Sequence, residues 1–377
     1  MGRHFSEEQR KDPTRTAVRI GLVGCGQICE AHLREICLIS GAELVGVCDL
    51  SEPLALDLAE RFNVPRAFCN YEKMVEEVKP DVVHITTPPH THVRIGTDVM
   101  RKRCHTYIEK PFGMSYQEAN EIIETAKANR VIACAGFSQL YDVVSRKLKT
   151  FVTDGQLGEV VHIETYYGNS LDGSFSRLFL HEKDHWIHRL PGKLFQNIIS
   201  HALYHVVPLL PGPIEKMVCF AEDRSRNGVL MDELRVMMQA GSVSAYLTFT
   251  SAVKPIVQFV RIYGTKGIAE VDFGNHGFSY IKSTSLPGPI ARVKSGFDLG
   301  KQFARGGIRH AWDMLKGKDR FFAGMGGLFA DLYRRIQEGD ETPPIPYEQV
   351  LRVSAIMDEI GRQCQEIEGE SKKGGTC

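Results

Sequence analysis

The spacing of apolar positions changes character once along this chain. From Val18 onward, short apolar runs alternate with stretches of helical period. Residues 18–23, 43–48, 81–86, 105–108 and 131–135 read as buried strands, and residues 30–39, 53–61, 89–102 and 115–128 as helices between them. Strands alternating with helices of this length predict βαβ units and a doubly wound parallel sheet. Its right-handed crossovers line the strand ends up along one edge. After about residue 140 the pattern shifts. A helix over 142–153 leads into an alternating strand at 159–167, then apolar runs at 216–221, 233–240, 243–250 and 257–263. Their short connections predict antiparallel neighbours, with Gly241-Ser242 as a tight turn. Helices near 320–338 and 347–366 close the chain, and no internal repeat is visible.

The pattern therefore predicts an α/β fold in two domains. A tail over 1–16 precedes a doubly wound unit over 17–139. An α+β domain over 140–370, with an open, largely antiparallel sheet, follows, and 371–377 is a short tail. The stretch 291–320 stands apart: Arg292, Lys294, Lys301, Arg305, Arg309, Lys316, Lys318 and Arg320 interleave with Phe297, Phe303, Ile308, Trp312 and Leu315. A membrane surface would suit such a pattern. The reading preferred from sequence is a solvated helical insertion covering the sheet or a partner subunit, with membrane association not expected.

The chain has 377 residues, enough for a real core, and 46 basic side chains balance 46 acidic ones. That balance excludes a broad basic field, so no nucleic-acid partner is expected. Residues 1–16 lack the apolar core of a signal peptide, no apolar run reaches membrane-spanning length, and the cytoplasm is the expected compartment. Of ten cysteines, Cys25, Cys29, Cys37, Cys48, Cys69, Cys104 and Cys134 sit among apolar residues, where reduced thiols pack as small hydrophobes. The Cys25/Cys29 spacing has no second pair to complete a metal site, and no metal is expected.

Candidate chemistry gathers at predicted strand ends. Gly24-Cys25-Gly26-Gln27-Ile28-Cys29 lies between a strand and a helix. Gly24 suits the tight turn and Gly26 the close approach of a pyrophosphate to the helix N-terminus, with Gln27 and Ile28 completing the cradle. Cys29 stands where the dinucleotide fingerprint wants Gly or Ala. Asp49 ends the second strand, placed to hold a ribose 2′-hydroxyl. With no Arg in the residues that follow it, NAD is favoured over NADP. Thr87 and Pro88 would turn the chain beneath the nicotinamide, with His92 beginning the next helix. Glu109-Lys110-Pro111 follows another strand, aiming Lys110 at the reacting hydroxyl and the nicotinamide ribose. In the second domain Asn197 and His201 share a helix face, and His201 is a natural general base. His181, Glu182, Asp184, His185 and His188 crowd a loop that suits substrate contact or a metal. Trp186 there can stack on a sugar ring. Tyr141, Trp186, His188 and Lys193 are the expected substrate contacts.

These residues resemble the Gfo/Idh/MocA family, named for glucose–fructose oxidoreductase and inositol dehydrogenase. The resemblance rests on Gly24-Cys25-Gly26 with His32 in the following helix, Asp49, Thr87 to His92, Glu109-Lys110-Pro111 and Gly192 to His201, and covers roughly 17–285 and the closing helices. It implies a Rossmann domain plus an open-faced α/β domain and NAD(P). It also implies hydride transfer at a sugar, nucleotide-sugar or cyclitol carbon, catalysed through Lys110, His201 and Asn197, and homodimers or homotetramers formed through the second sheet. Two departures mark this chain. Asn197 replaces the usual Asp, so it can orient the imidazole without charging it, and Lys193 replaces a Gly, adding a cation suited to a phosphate- or carboxylate-bearing substrate. Two alternatives stay open: a glycoside-cleaving relative that retains its cofactor, and a catalytically silent NAD-binding regulator.

Overall fold

Strand β1 (Val18–Val23) is buried along nearly its whole length, as its unbroken apolar run requires when both faces of a sheet are covered. The computed structural model describes residues 17–170, 185–190, 192–224, 232–316 and 322–374. In it β1 lies at the centre of a six-stranded parallel sheet with β2 (Ala42–Cys48), β3 (Ala67–Phe68), β4 (Val82–Ile85), β5 (His105–Ile108) and β6 (Ala133–Ala135). The order is β3-β2-β1-β4-β5-β6. The strand order reverses between β1 and β4, so the crevice beyond their carboxyl ends is the expected ligand position. Helices α1 (Cys29–Ile36), α2 (Glu52–Arg61), α3 (Tyr71–Val78), α4 (His92–Arg101) and α5 (Tyr116–Asn129) connect these strands. Helices α3 and α5 start where Asn70 and Ser115 accept hydrogen bonds from the amides of Lys73 and Glu118. The short β3 and α3 are absent from the sequence-based expectation.

Helix α6 (Val143–Thr153) leads to the second sheet. It comprises β7 (Val160–Ser170), β8 (Lys216–Glu222), β9 (Glu233–Ala240), β10 (Val243–Thr250), β11 (Ala252–Gly264), β12 (Gly267–Asp272) and β13 (Gly277–Lys282). They run in the order β13-β12-β11-β7-β10-β9-β8. Most neighbours are antiparallel, as expected of a largely antiparallel sheet, while β7 and β10 pair in parallel. The long crossover between them contains α7 (Lys193–Val206), which packs its apolar face on β7 and β10.

The basic stretch forms α8 (Gly288–Leu315), followed by α9 (Ala323–Glu338) and α10 (Tyr347–Gly374). Helix α8 has no buried residue and touches the edge strand β13 through Gln302, which exchanges two 2.9 Å hydrogen bonds with the Tyr280 backbone. It covers the sheet with a polar face and leaves its apolar face outward. Helix α9 returns to the first sheet, where Phe329 packs among the rings of His32, His84 and Tyr107. The tail expected over residues 1–16 lies outside the described residues.

Candidate active site between the two sheets

The loop after β1 turns at Gly24, whose φ of +102° is costly for any residue with a Cβ. A Cβ there would also lie 2.8 Å from the Thr86 and Thr87 backbone. Thr86 Oγ1 ties the turn down, donating to the carbonyls of Val23 and Gly24. Asp49 closes the loop from β2: its carboxylate accepts from the amides of Cys25 (2.7 Å) and Ser51 (2.8 Å). Beyond it a Cβ on Gly26 would meet nothing within 4 Å, and the amides of Gly26, Gln27 and Ile28 have no partner among the described residues. Unpaired amides at a helix start, beside open space, fit an anionic pyrophosphate. The residues present therefore fit a dinucleotide.

Two further loops complete that rim. Thr87 Oγ1 shares a hydrogen bond with Thr91. His92 is fully buried, with Nε2 2.8 Å from the Thr87 carbonyl and Nδ1 3.0 Å from that of Pro111. It fastens the two loops that the sequence assigns to the nicotinamide side, without itself facing a ligand. The Lys110–Pro111 peptide is cis.

Glu109 is also buried, and its carboxylate points away from the crevice. One oxygen meets His32 Nε2 at 2.9 Å; the other accepts from the Lys110 amide at 3.1 Å. Behind it the string continues: His32 Nδ1 to His84 Nδ1 at 3.0 Å, and His84 Nε2 to the Tyr333 hydroxyl at 2.7 Å. Burial pulls His84 well below the ordinary imidazole value, whereas His32 and Lys110 hold Glu109 low against its own burial. One choice of tautomers lets every donor point the same way: Tyr333 to His84, His84 to His32, His32 to Glu109. Glu109 thus supports the backbone at Lys110 rather than meeting a cofactor directly.

Lys110 reaches across to α7. Its Nζ donates to the Asn197 carbonyl (3.0 Å) and to Asn197 Oδ1 (3.2 Å). Burial lowers the ammonium below its ordinary value, and Glu109 partly offsets this. His201 lies one turn further along α7, and burial, then the Lys110 charge, then His205 push its imidazole well below the usual range. Its Nδ1 is 2.6 Å from the Tyr204 hydroxyl, which donates to Gln139 Oε1 at 3.0 Å, while Gln139 Nε2 donates to Tyr167 at 3.0 Å. Because the Tyr204 proton goes to Gln139, His201 Nδ1–H donates to the Tyr204 oxygen and Nε2 keeps its lone pair. The Tyr167 ring stacks on the imidazole with centroids 5.4 Å apart.

The structure thus gathers Lys110, Asn197 and His201, but redistributes their tasks. The sequence assigns Asn197 to orienting His201; Tyr204 does this instead, and Asn197 holds Lys110. Tyr204, Gln139 and Tyr167 escape sequence reasoning, although Tyr204 sits three residues after His201, within reach on one helix face. Asp142 also escapes it; burial lifts its carboxyl to about 7. Tyr141 gives its hydroxyl to Asp331 of α9 at 2.6 Å. Trp186 and His188 are half-buried on a short turn ahead of α7. Lys193 is the first residue of α7, its side chain outside the described part, as are His181, Glu182 and Asp184. Among the described residues no cluster of three or more His, Cys, Asp or Glu could hold a metal. Gly192 occupies the N-cap position just before α7, and its amide donates to Gln196 Oε1 at 2.8 Å.

Comparison with known proteins gives this geometry a setting. A family model described as an oxidoreductase family with an NAD-binding Rossmann fold matches residues 18–137, and the Gfo/Idh/MocA C-terminal domain model matches 145–270. The chain is similar to glycosyl hydrolase family 109 protein 1 of Akkermansia muciniphila, 30% identical over 44% of this chain and 36% of that protein. It is also similar to D-glucoside 3-dehydrogenase of Escherichia coli, 30% identical over 39% of this chain and 42% of that protein. The matched segment therefore spans about two-fifths of the length of these curated relatives. Among solved structures, the WlbA dehydrogenase of Chromobacterium violaceum, in complex with NADH and UDP-GlcNAcA, superposes with a TM-score of 0.74. It is 18% identical, covering 94% of this chain and 95% of that one, a likeness of fold.

Proposed function

Because the chain belongs to the Gfo/Idh/MocA oxidoreductase family, we propose that it is an NAD-dependent dehydrogenase acting on a secondary hydroxyl of a sugar, nucleotide sugar or cyclitol. The observation that carries this reading is the Lys110 ammonium, held on Asn197 one helical turn from a neutral, tautomer-fixed His201. A hydroxyl placed between them meets a cation that stabilises developing alkoxide and a base that takes its proton.

Bound NAD supplies the hydride acceptor. The Gly26 to Ile28 amides and the α1 N-terminus hold its pyrophosphate, and Asp49 at the end of β2 favours a free ribose hydroxyl over a 2′-phosphate. Lys110 then orients the substrate hydroxyl, and His201 Nε2 accepts its proton. Trp186 and His188, half-buried on the turn ahead of α7, are the side chains assigned to substrate contact in this reading. A homo-oligomer joined through the second sheet belongs to the same proposal. Its support is the row of exposed apolar side chains Val218, Phe220 and Met237 on β8 and β9.

The test is a panel of sugars, nucleotide sugars and cyclitols followed by NADH absorbance, with NAD and NADP titrated in parallel. Lys110→Met is expected to keep NAD binding and lose about 10²-fold or more in turnover. Substrate cleavage without net NADH would replace this reading with a glycoside-cleaving one. Cofactor binding with no turnover across the panel would replace it with a silent regulator.

A further inference from the structure

We propose that α8 is an interfacial helix that lays its outer face on an anionic lipid surface. Its orientation argues for this. The half-buried residues, on the side turned toward the sheet, are small or polar apart from Leu299: Ala291, Ser295, Asp298, Gln302, His310 and Asp313. The face turned to solvent carries Ile290, Val293, Phe297, Ile308, Trp312 and Leu315, spaced by threes and fours except across Gly300 and Ala304. Phe297, Ile308 and Leu315 are 70%, 72% and 77% exposed. An amphipathic helix normally turns its apolar stripe to the core. This one is inverted over 28 residues, a length of about 42 Å.

Charge selects the occupant. Residues 288–316 hold six basic and two acidic side chains in a chain whose charges balance overall. Both acids are paired on the helix itself, Asp298 with Lys294 and Asp313 with Arg309. Arg292, Lys301 and Arg305 make no ion pair at contact distance among the described residues, and Lys316 lies over the Trp312 ring at 4.5 Å. Lys301 and Arg305 flank the apolar stripe near the helix midpoint. A second copy docked there about a two-fold axis would set those cations against their own equivalents. A bilayer rich in acidic headgroups takes both features at once, with apolar side chains entering the acyl boundary and cations at the headgroups. No helix among the described residues is long and apolar enough to cross a membrane, which leaves the in-plane arrangement.

The experiment is flotation of the full chain with phosphatidylcholine vesicles and with vesicles containing about a third phosphatidylserine. Binding is expected only to the anionic vesicles and to be lost at about 1 M salt, with a blue shift of tryptophan emission that Trp312→Phe abolishes. Arg292→Gln/Lys301→Gln/Arg305→Gln should weaken vesicle binding by about 100-fold, at about fivefold per cation. Phe297→Glu/Ile308→Glu should abolish it while leaving NAD binding and the circular dichroism spectrum unchanged. Failure to float with anionic vesicles, or equal flotation with neutral ones, overturns the proposal. So does an oligomer dissociated by Phe297→Glu/Ile308→Glu in a chain that binds neither vesicle, which would make the occupant a second copy.

Discussion

Replacing Asn197 by Asp puts a carboxylate oxygen where Oδ1 now sits, 3.2 Å from Lys110 Nζ. In the unmodified chain burial holds the Lys110 ammonium below its ordinary 10.5, and the Glu109 carboxylate works against that shift. At an effective dielectric near 20, unit charges at this spacing attract by about 5 kcal/mol. Desolvation of the new carboxylate cancels part of this, so the expected rise in the Lys110 pKa is about 1–3 units, or about 1.4–4 kcal/mol. Lys110 is only half-buried, so its amine can be titrated directly. Competitive labelling with acetic anhydride across pH, read by mass spectrometry on the Lys110 peptide, gives its pKa without any substrate. Once a substrate is in hand, the alkaline limb of kcat/KM should rise by the same amount, because that ratio reports free-enzyme groups. The acidic limb, belonging to His201, should stay nearly in place. An unmoved Lys110 pKa together with a shifted acidic limb would return Asn197 to the imidazole and refute the geometry.

Two further outcomes concern buried groups. Between about 3.8, its unfolded value, and about 7, its folded one, Asp142 holds a proton in the folded chain that it releases on unfolding, so stability falls as pH rises through that window and levels off above it. Asp142→Asn should therefore add about 1–3 kcal/mol near pH 8 and almost nothing near pH 4 in denaturant titrations; an equal gain at both pH values would show that charge is not the cause. Tyr333→Phe removes the donor to His84 Nε2 and leaves a buried acceptor unpaired, an expected cost of about 1–3 kcal/mol in the same assay with NAD affinity unchanged. An unaltered midpoint would mean that the hydroxyl contributes nothing there.

The nucleotide half was the more legible part of this chain. Its strands are continuous apolar runs ending in Gly24, Asp49, Thr87 and Lys110, so period and punctuation agree. The second half hid more. There the edge strand β13 is half-buried along nearly its whole length and shows no alternation; in the first half, the two-residue β3 likewise has no period to detect. The parallel pairing of β7 with β10 depends on a crossover whose direction no local pattern encodes. At the site, residue identities were readable but partners were not. Asn197 and His201 are correctly on one face, yet which of Lys110 or the imidazole Asn197 serves depends on how two distant elements meet. His84 looks like one more residue of a buried strand until Tyr333, 249 positions later, supplies its hydrogen bond.

That last contact has a bearing on how the protein is made. Helix α9 supplies Phe329 and Tyr333 to the core beneath β1, β4 and β5, although nearly two hundred residues separate β6 from it. The first sheet is thus complete in sequence by residue 135 but not in substance until Glu338 has been synthesised. A chain emerging from the ribosome at about 5–20 residues per second must keep that sheet open on one side while the whole second domain is made. During that interval His84 lacks its donor and the rings around it lie uncovered. A fragment cut after β6 would therefore contain every residue of the dinucleotide loop and still lack part of the floor on which Glu109 and Lys110 rest.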